Sequence, residues 1–287
     1  MKLSVSITNY SWPEGALTGL AEVAGALDEA GLDTVWMADH LLQADPTSTL
    51  EAEMLEAYTT LGYLAARTSR VRLGAMVSPV TYRAPSLLIK LVTTLDVLSG
   101  GRAWLGIGAG YHEEEARAMG LSLPPVRERF VALEETLRLA EQMWRGDPTP
   151  FVGGLLRLEQ PICSPRPTSE PRPPILIGGS GERKTLRLVA RHADACNLFD
   201  IPDGGATIRR TLDVLAEHCR EVRRPFTAIE KTVTTRLERR ESSESFAARL
   251  LALADLGIDH AVVVTNDPLV EEHLTTLAAT AAAIASL

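Results

Sequence analysis

The sequence predicts an α/β fold, a TIM (β/α)8 barrel with loop insertions. Short β-rich apolar runs alternate with longer segments of helical period along the whole chain, and eight such units can be counted. One apolar run, Thr34 to Ala38, ends abruptly in Asp39 and His40, so a carboxylate and an imidazole sit at the carboxyl end of a buried strand. Parallel sheets and β/α barrels build their sites at that end, because the strand holds the polar side chain rigidly while the following loop gives access. Eight units in this length favour the barrel over a doubly wound open sheet, as one domain over 1–287 with an irregular insertion at about 146–174.

Each element has its own signal. The first strand is Leu3 to Ile7, and the helix after it places Leu17, Leu20, Ala24 and Leu27 on one face before Gly31 stops it as a left-handed cap. Strand two runs into Asp39 and His40. The next helix turns Leu55, Tyr58, Leu61 and Ala65 inward, and strand three spans Val71 to Met76. Pro85 opens the third helix, and Ser99, Gly100 and Gly101 close it. Strand four, Ala103 to Ile107, leads through Gly108, Ala109 and Gly110 towards a helix marked by Leu133, Leu137, Ala140 and Trp144. Between Gly146 and Pro174 the helical period fails among many prolines and glycines. Strand five, Ile175 to Ile177, then enters the Gly178 to Gly181 loop and a helix through Leu186 and Val189. Strand six is Asp194 to Leu198, strand seven lies near Ile229 to Thr234, and strand eight is His260 to Val264 after a helix ended by Gly257. A last helix, Leu269 to Ile284, closes the ring.

Composition narrows the function. The 287 residues carry 29 basic and 37 acidic side chains, a net charge of −8, which argues against a nucleic-acid backbone or an anionic membrane as partner. No run of about twenty apolar residues spans a membrane, and the first ten residues lack the layout of a signal peptide, so a cytoplasmic location is expected. Cys163, Cys196 and Cys219 form no Cys-x-x-Cys pair, and neither a disulfide framework nor a metal site is suggested.

Two glycine loops invite a phosphate reading. Gly106, Gly108 and Gly110 miss the dinucleotide fingerprint by one position and do not follow the first strand. Gly178, Gly179, Ser180 and Gly181 lead into Arg183, Lys184 and Thr185, but Arg183 stands where a Walker A loop needs glycine. What remains at the second loop is a set of free amide hydrogens at a helix start beside two cations, which suits an anion as well as it suits a tight turn.

Read together, WMADH (Trp36 to His40), TYRAPSLLIK (ending the stretch Leu73 to Lys90), LDVLSGGR (Leu95 to Arg102), LGIGAGYHEEE (Leu105 to Glu115) and PPILIGGSGERKTLRLVARHADACN (Pro173 to Asn197) resemble the luciferase-like monooxygenase superfamily, in its branch of oxidoreductases that use the deazaflavin coenzyme F420. The resemblance implies a coenzyme lying across the carboxyl mouth, with Asp39 and His40 facing the ring or substrate. It implies a bulge and a non-proline cis peptide at Met76 and Val77 that buttresses the ring. It places phosphate contacts at Gly110, Tyr111 and His112 and at Gly178, Gly179, Ser180 and Gly181. His40 is then either the catalytic acid or base or a structural imidazole bonded to backbone or coenzyme, and Asp39 orients or accepts a hydrogen bond from the coenzyme. The family's sugar-phosphate dehydrogenases carry a carboxylic acid where this chain has Tyr111, so their reaction is not transferred. Glu113, Glu114 and Glu115 are expected to charge the first turn of a helix.

The reaction implied is hydride transfer between the deazaflavin and a small organic substrate. The alternatives are an FMN-dependent monooxygenase of the same fold, a barrel lyase using Lys231 as a Schiff-base lysine, and a protein that binds the coenzyme without turnover. A homodimer is implied, with Leu55, Tyr58, Leu61 and Leu64 at its interface unless these four pack on the barrel. The substrate pocket is expected in the loops Leu41 to Leu50 and Gly146 to Pro174.

Overall fold

A ring of parallel strands wrapped by helices is seen in the computed structural model, which describes residues 1–45 and 48–285. Pro46 and Thr47 of the Leu41–Leu50 loop, and Ser286 and Leu287 at the end of the 1–287 span, lie outside the described residues. In chain order the elements are β1 (Lys2–Ile7), α1 (Ala16–Glu29), β2 (Thr34–Met37), α2 (Ala57–Arg67), β3 (Arg72–Ala75), β4 (Ser78–Pro79), α3 (Pro85–Ser99), β5 (Leu105–Gly108), α4 (Glu113–Ala118), α5 (Val126–Arg145), β6 (Phe151–Val152), β7 (Arg157–Leu158), β8 (Ile175–Gly178), α6 (Thr185–His192), β9 (Ala195–Phe199), α7 (Ala206–Glu221), β10 (Glu230–Arg236), α8 (Ser243–Asp255), β11 (His260–Val264) and α9 (Glu271–Ala285).

The barrel sheet runs β3-β2-β1-β11-β10-β9-β8-β5-β4, and every neighbouring pair in it is parallel. Its nine strands make eight staves. The third stave is interrupted at the cis peptide Met76–Val77: β3, before it, pairs with β2, and β4, after it, pairs with β5. The ring closes where the Leu73 N–H donates to the Arg102 carbonyl (2.8 Å) and the Trp104 N–H donates to the Leu73 carbonyl (2.8 Å). Strand four of the sequence reading therefore starts two residues later than its apolar run, since Ala103 makes only an isolated bridge with Leu73.

The helix stops are where glycine allows them. Gly31 after α1 and Gly100 after α3 have φ of +72° and +69°, the left-handed region that an L side chain enters at a cost. Inside the barrel, Trp36, Trp104, Leu176, Ala195 and Val262 fill the bore as a packed layer, with Met76 and Val77 resting on it. Gly74 makes room for the two indoles: a Cβ there would stand 2.7 Å from Trp36 and 2.8 Å from Trp104. The proline-rich stretch is not wholly irregular, because β6 and β7 pair as an antiparallel hairpin within it.

Candidate functional site

Each stave delivers a residue to one cavity of about 720 Å³ at the carboxyl mouth. Ser6 and Thr8 come from β1, His40 from β2, Met76 and Val77 from the third stave, Gly108 from β5, Gly178 from β8, Asn197 and Phe199 from β9, Thr234 from β10 and Val264 from β11. Parallel strands end together, so a ring of them converges its terminal side chains on one point. Val77 lines the cavity where it rests on the layer of Trp36 and Trp104. A Cβ on Gly108 would lie 2.9 Å from its methyl, and one on Gly178 would lie 3.0 Å away, so both glycines give way to that side chain.

His40 faces the cavity with its Nε2 side, because Nδ1 is occupied. Nδ1 lies 2.7 Å from Glu115 Oε2 and donates to it, a carboxylate being an acceptor only. Glu115 is the buried hub of this wall, 1% exposed. It also accepts from the Tyr82 hydroxyl and from the N–H groups of Leu41 (2.5 Å) and Leu42 (3.0 Å). Burial raises the pKa of its carboxyl, but the hydrogen bonds from His40, Tyr82 and Leu42 outweigh that and hold it at about 2. Glu115 does lie in the first turn of α4, as expected with Glu113 and Glu114, but it also turns inward to His40. The hydrogen bonds, not the helix dipole, account for its ionisation, and three consecutive glutamates hid the one that turns inward.

His112 caps α4. Its Nδ1 accepts from the Glu115 N–H (3.1 Å), which leaves the Nε2 proton for the cavity wall that it also lines. Tyr111, 73% exposed, stands at the rim, its ring centroid 6.1 Å from that of His40. Burial and then the Glu115 charge push its hydroxyl pKa upward.

Asp39 does not reach the cavity wall. Its two oxygens accept from both ends of the Arg83 fork (2.7 and 2.9 Å) and from Ser78 Oγ (2.6 Å). Arg83 also donates to Glu56 (2.6 Å) and lies over the Tyr58 ring. Asp39 thereby ties β2 to the first residue of β4, just past Val77. Met76, Val77, Gly110, Tyr111, His112, Gly178 and Gly179 line the cavity with His40, whereas Ser180 and Gly181 are exposed outside its wall. Lys231 is no candidate nucleophile here: near the amino end of β10, it pairs with Asp259 at 2.7 Å and sits over Phe226, away from the mouth.

Sequence reasoning missed Tyr82 and Arg83, although both lie in the TYRAPSLLIK motif, and Arg129 of α5. The guanidinium of Arg129 donates to the Gly110 carbonyl while its Nε is buried without a partner. Thr81 Oγ1, about 3.4 Å from where a Gly110 Cβ would stand, is a second buried polar atom without a partner. Both atoms lack a partner among the described residues, and the Arg129 guanidinium beside the positive-φ Gly110 places a cation at the cavity edge that suits an anionic ligand.

The sequence profile of the luciferase-like monooxygenase family matches residues 1–283. The chain belongs to that family. Among curated relatives of this family member, an F420-dependent glucose-6-phosphate dehydrogenase of Kineococcus radiotolerans is 36% identical over 166 residues, 58% of this chain and 48% of the relative. One with the same name from Nakamurella multipartita is 35% identical over 61% of this chain and 50% of the relative. The matched region spans about half the length of these relatives. The fold is shared with an F420-dependent secondary alcohol dehydrogenase solved with an F420-acetone adduct (TM-score 0.82, 16% identity, 97% of this chain and 98% of the other). It is shared too with the coenzyme F420-dependent tetrahydromethanopterin reductase of Methanopyrus kandleri (TM-score 0.79, 15% identity, 98% and 97%).

Proposed function

We propose that the chain is a coenzyme F420-dependent oxidoreductase, moving a hydride between the deazaflavin and a small organic substrate. The observation that carries this reading is His40 Nε2 open to the cavity beside Val77, with Nδ1 anchored by a buried, ionised Glu115. The names of the curated relatives support the coenzyme.

The residues present fit such a group. Met76, Val77, Ala109, Phe130 and Phe199 give apolar walls that would suit a flat ring, and Gly108 and Gly178 leave room for the Val77 side chain among them. Gly110 and Arg129 would hold a phosphate on the coenzyme's side chain, the Gly179 N–H being already given to the Asn197 carbonyl (3.4 Å). Asp39 acts indirectly, fixing the backbone after Val77 through Ser78 and Arg83.

When bound, F420 supplies a two-electron hydride acceptor or donor. The chain supplies the proton traffic. In the oxidative direction His40 Nε2 takes the hydroxyl proton of an alcohol as its carbon gives up hydride; in reverse it returns a proton to the carbonyl oxygen. Glu115 keeps the imidazole in the tautomer with Nε2 free and stabilises the imidazolium that forms. Tyr111 stands where the sugar-phosphate dehydrogenases have an acid, so glucose 6-phosphate is not assigned as substrate. Titration of the apo protein with F420 and with FMN tests the reading: F420 binds and FMN does not. Tight FMN binding without F420 affinity would make it a flavin monooxygenase instead.

A cytoplasmic homodimer belongs to the same reading, the three cysteines being buried and unpaired. The residues considered for the interface pack on the barrel instead, and α3 is the face we assign to it. Tyr58, Leu61 and Leu64 are buried against the barrel and Leu55 is half-buried on it, while Leu87 and Leu98 of α3 are 51% and 66% exposed and present apolar surface.

A further inference from the structure

Arg236, the last residue of β10, has no part in the coenzyme site, yet its Nη1 is buried without a hydrogen-bond partner among the described residues. A guanidinium stays protonated at any working pH, and among the described residues that of Arg236 makes no ion pair, so its charge is left for a ligand in the cavity it borders. The side chain borders a second cavity of about 200 Å³, next to Ala38, Met54 and Asp45. This cavity shares Thr8, His40, Met76, Tyr111 and Val264 with the main one. A molecule reaching from one into the other therefore passes His40.

The strand end that carries Arg236 is held in place. Its carbonyl accepts from Arg249 Nη2 (2.5 Å), and Arg249 is itself gripped by Glu241 at 3.0 and 2.9 Å. A donor on a fixed strand end, facing a small cavity with apolar walls, is arranged for one acceptor group on a short ligand.

We propose that the second cavity anchors a carboxylate on the substrate, with Arg236 as its donor, so that the molecule reacting at His40 is a short hydroxy or oxo acid. Calling the molecule a substrate rests on the coenzyme reading above; the anion site itself does not. The planar guanidinium matches a carboxylate, and the volume admits that group with a few carbons. Asp45 borders the same cavity, which therefore carries one cation and one anion. Asp45 repels any anion bound there, a carboxylate with its single charge less than a phosphate dianion with two.

The test is ligand-observed NMR with 2-oxobutyrate and with butan-2-one, which carries a methyl in place of the carboxylate. The expected result is at least tenfold tighter binding of 2-oxobutyrate, a preference that Arg236→Gln abolishes while leaving butan-2-one unchanged. Because Nη1 contacts no protein acceptor, the variant should fold, and its melting temperature checks that. Equal affinity for the two probes, a preference that survives Arg236→Gln, or tighter binding of ethyl phosphate than of 2-oxobutyrate would overturn the proposal. F420 affinity is read separately from coenzyme fluorescence. Absent F420 binding with an intact carboxylate preference would remove the coenzyme reading and leave the site standing.

Discussion

His40 and Glu115 divide the work of one wall, and substitution separates their parts. His40→Ala should lower turnover by about 10²- to 10⁴-fold, the usual contribution of a positioned acid or base. Coenzyme affinity should change little, and a parallel loss of affinity would make His40 a binding residue. Glu115 links the site to stability. Its folded carboxyl titrates at about 2 against an ordinary value near 4.5, so the stabilisation it brings is complete above about pH 5 and fades as pH falls towards 2. Glu115→Gln lacks that contribution, on the order of 1 to 2 kcal/mol after screening by the open cavity. Urea midpoints of the two proteins should accordingly lie apart at pH 7 and converge as pH drops through 4. A gap that stays constant would show that the charge contributes nothing. At this scale the sequence revealed His40, because an imidazole after an apolar run is conspicuous. It could not single out Glu115 among three glutamates, since the choice depends on which helical face meets His40, 75 residues earlier in the chain.

Buried carboxylates pin loops to helices at several points. Asp96 on α3 accepts from the N–H groups of Thr168 (2.7 Å) and Ser169 (2.8 Å), and Glu135 on α5 accepts from those of Gly154 (2.5 Å), Leu155 (3.1 Å) and Leu156 (2.9 Å). The segment between Gly146 and Pro174 is thus moored by charges that replace the hydrogen bonds a helix or sheet would supply. Glu135→Ala should strip the acceptors from the β6–β7 turn. Amide exchange at Gly154, Leu155 and Leu156 is expected to speed up at least ~10-fold, with a loss of about 1 to 3 kcal/mol in global stability. Unchanged exchange would mean that the hairpin holds itself. Prolines and glycines marked this segment as a loop; its hairpin was not legible, because two-residue strands are too short to show alternation.

The whole molecule is a ring whose closure brings residues 6, 40, 77, 108, 178, 197, 234 and 264 to one mouth. Its outer surface carries the proposed dimer contact. Leu98→Asp should halve the mass measured by light scattering without lowering the melting temperature of the barrel; an unchanged mass would free α3 of that role. The order of elements, their helical or extended character and the carboxyl-end placement of His40 follow from the sequence alone, because periodicity and strand-end polarity are local properties of the chain. Closure decided the rest: that the third strand breaks at Met76–Val77, that Asp39 turns away to Arg83, that Glu115 is buried against His40, and that Arg236 borders the cavity beside it. These depend on which distant residues the ring makes neighbours, and the burial, pairing and ionisation of a side chain are set by neighbours, not by sequence position.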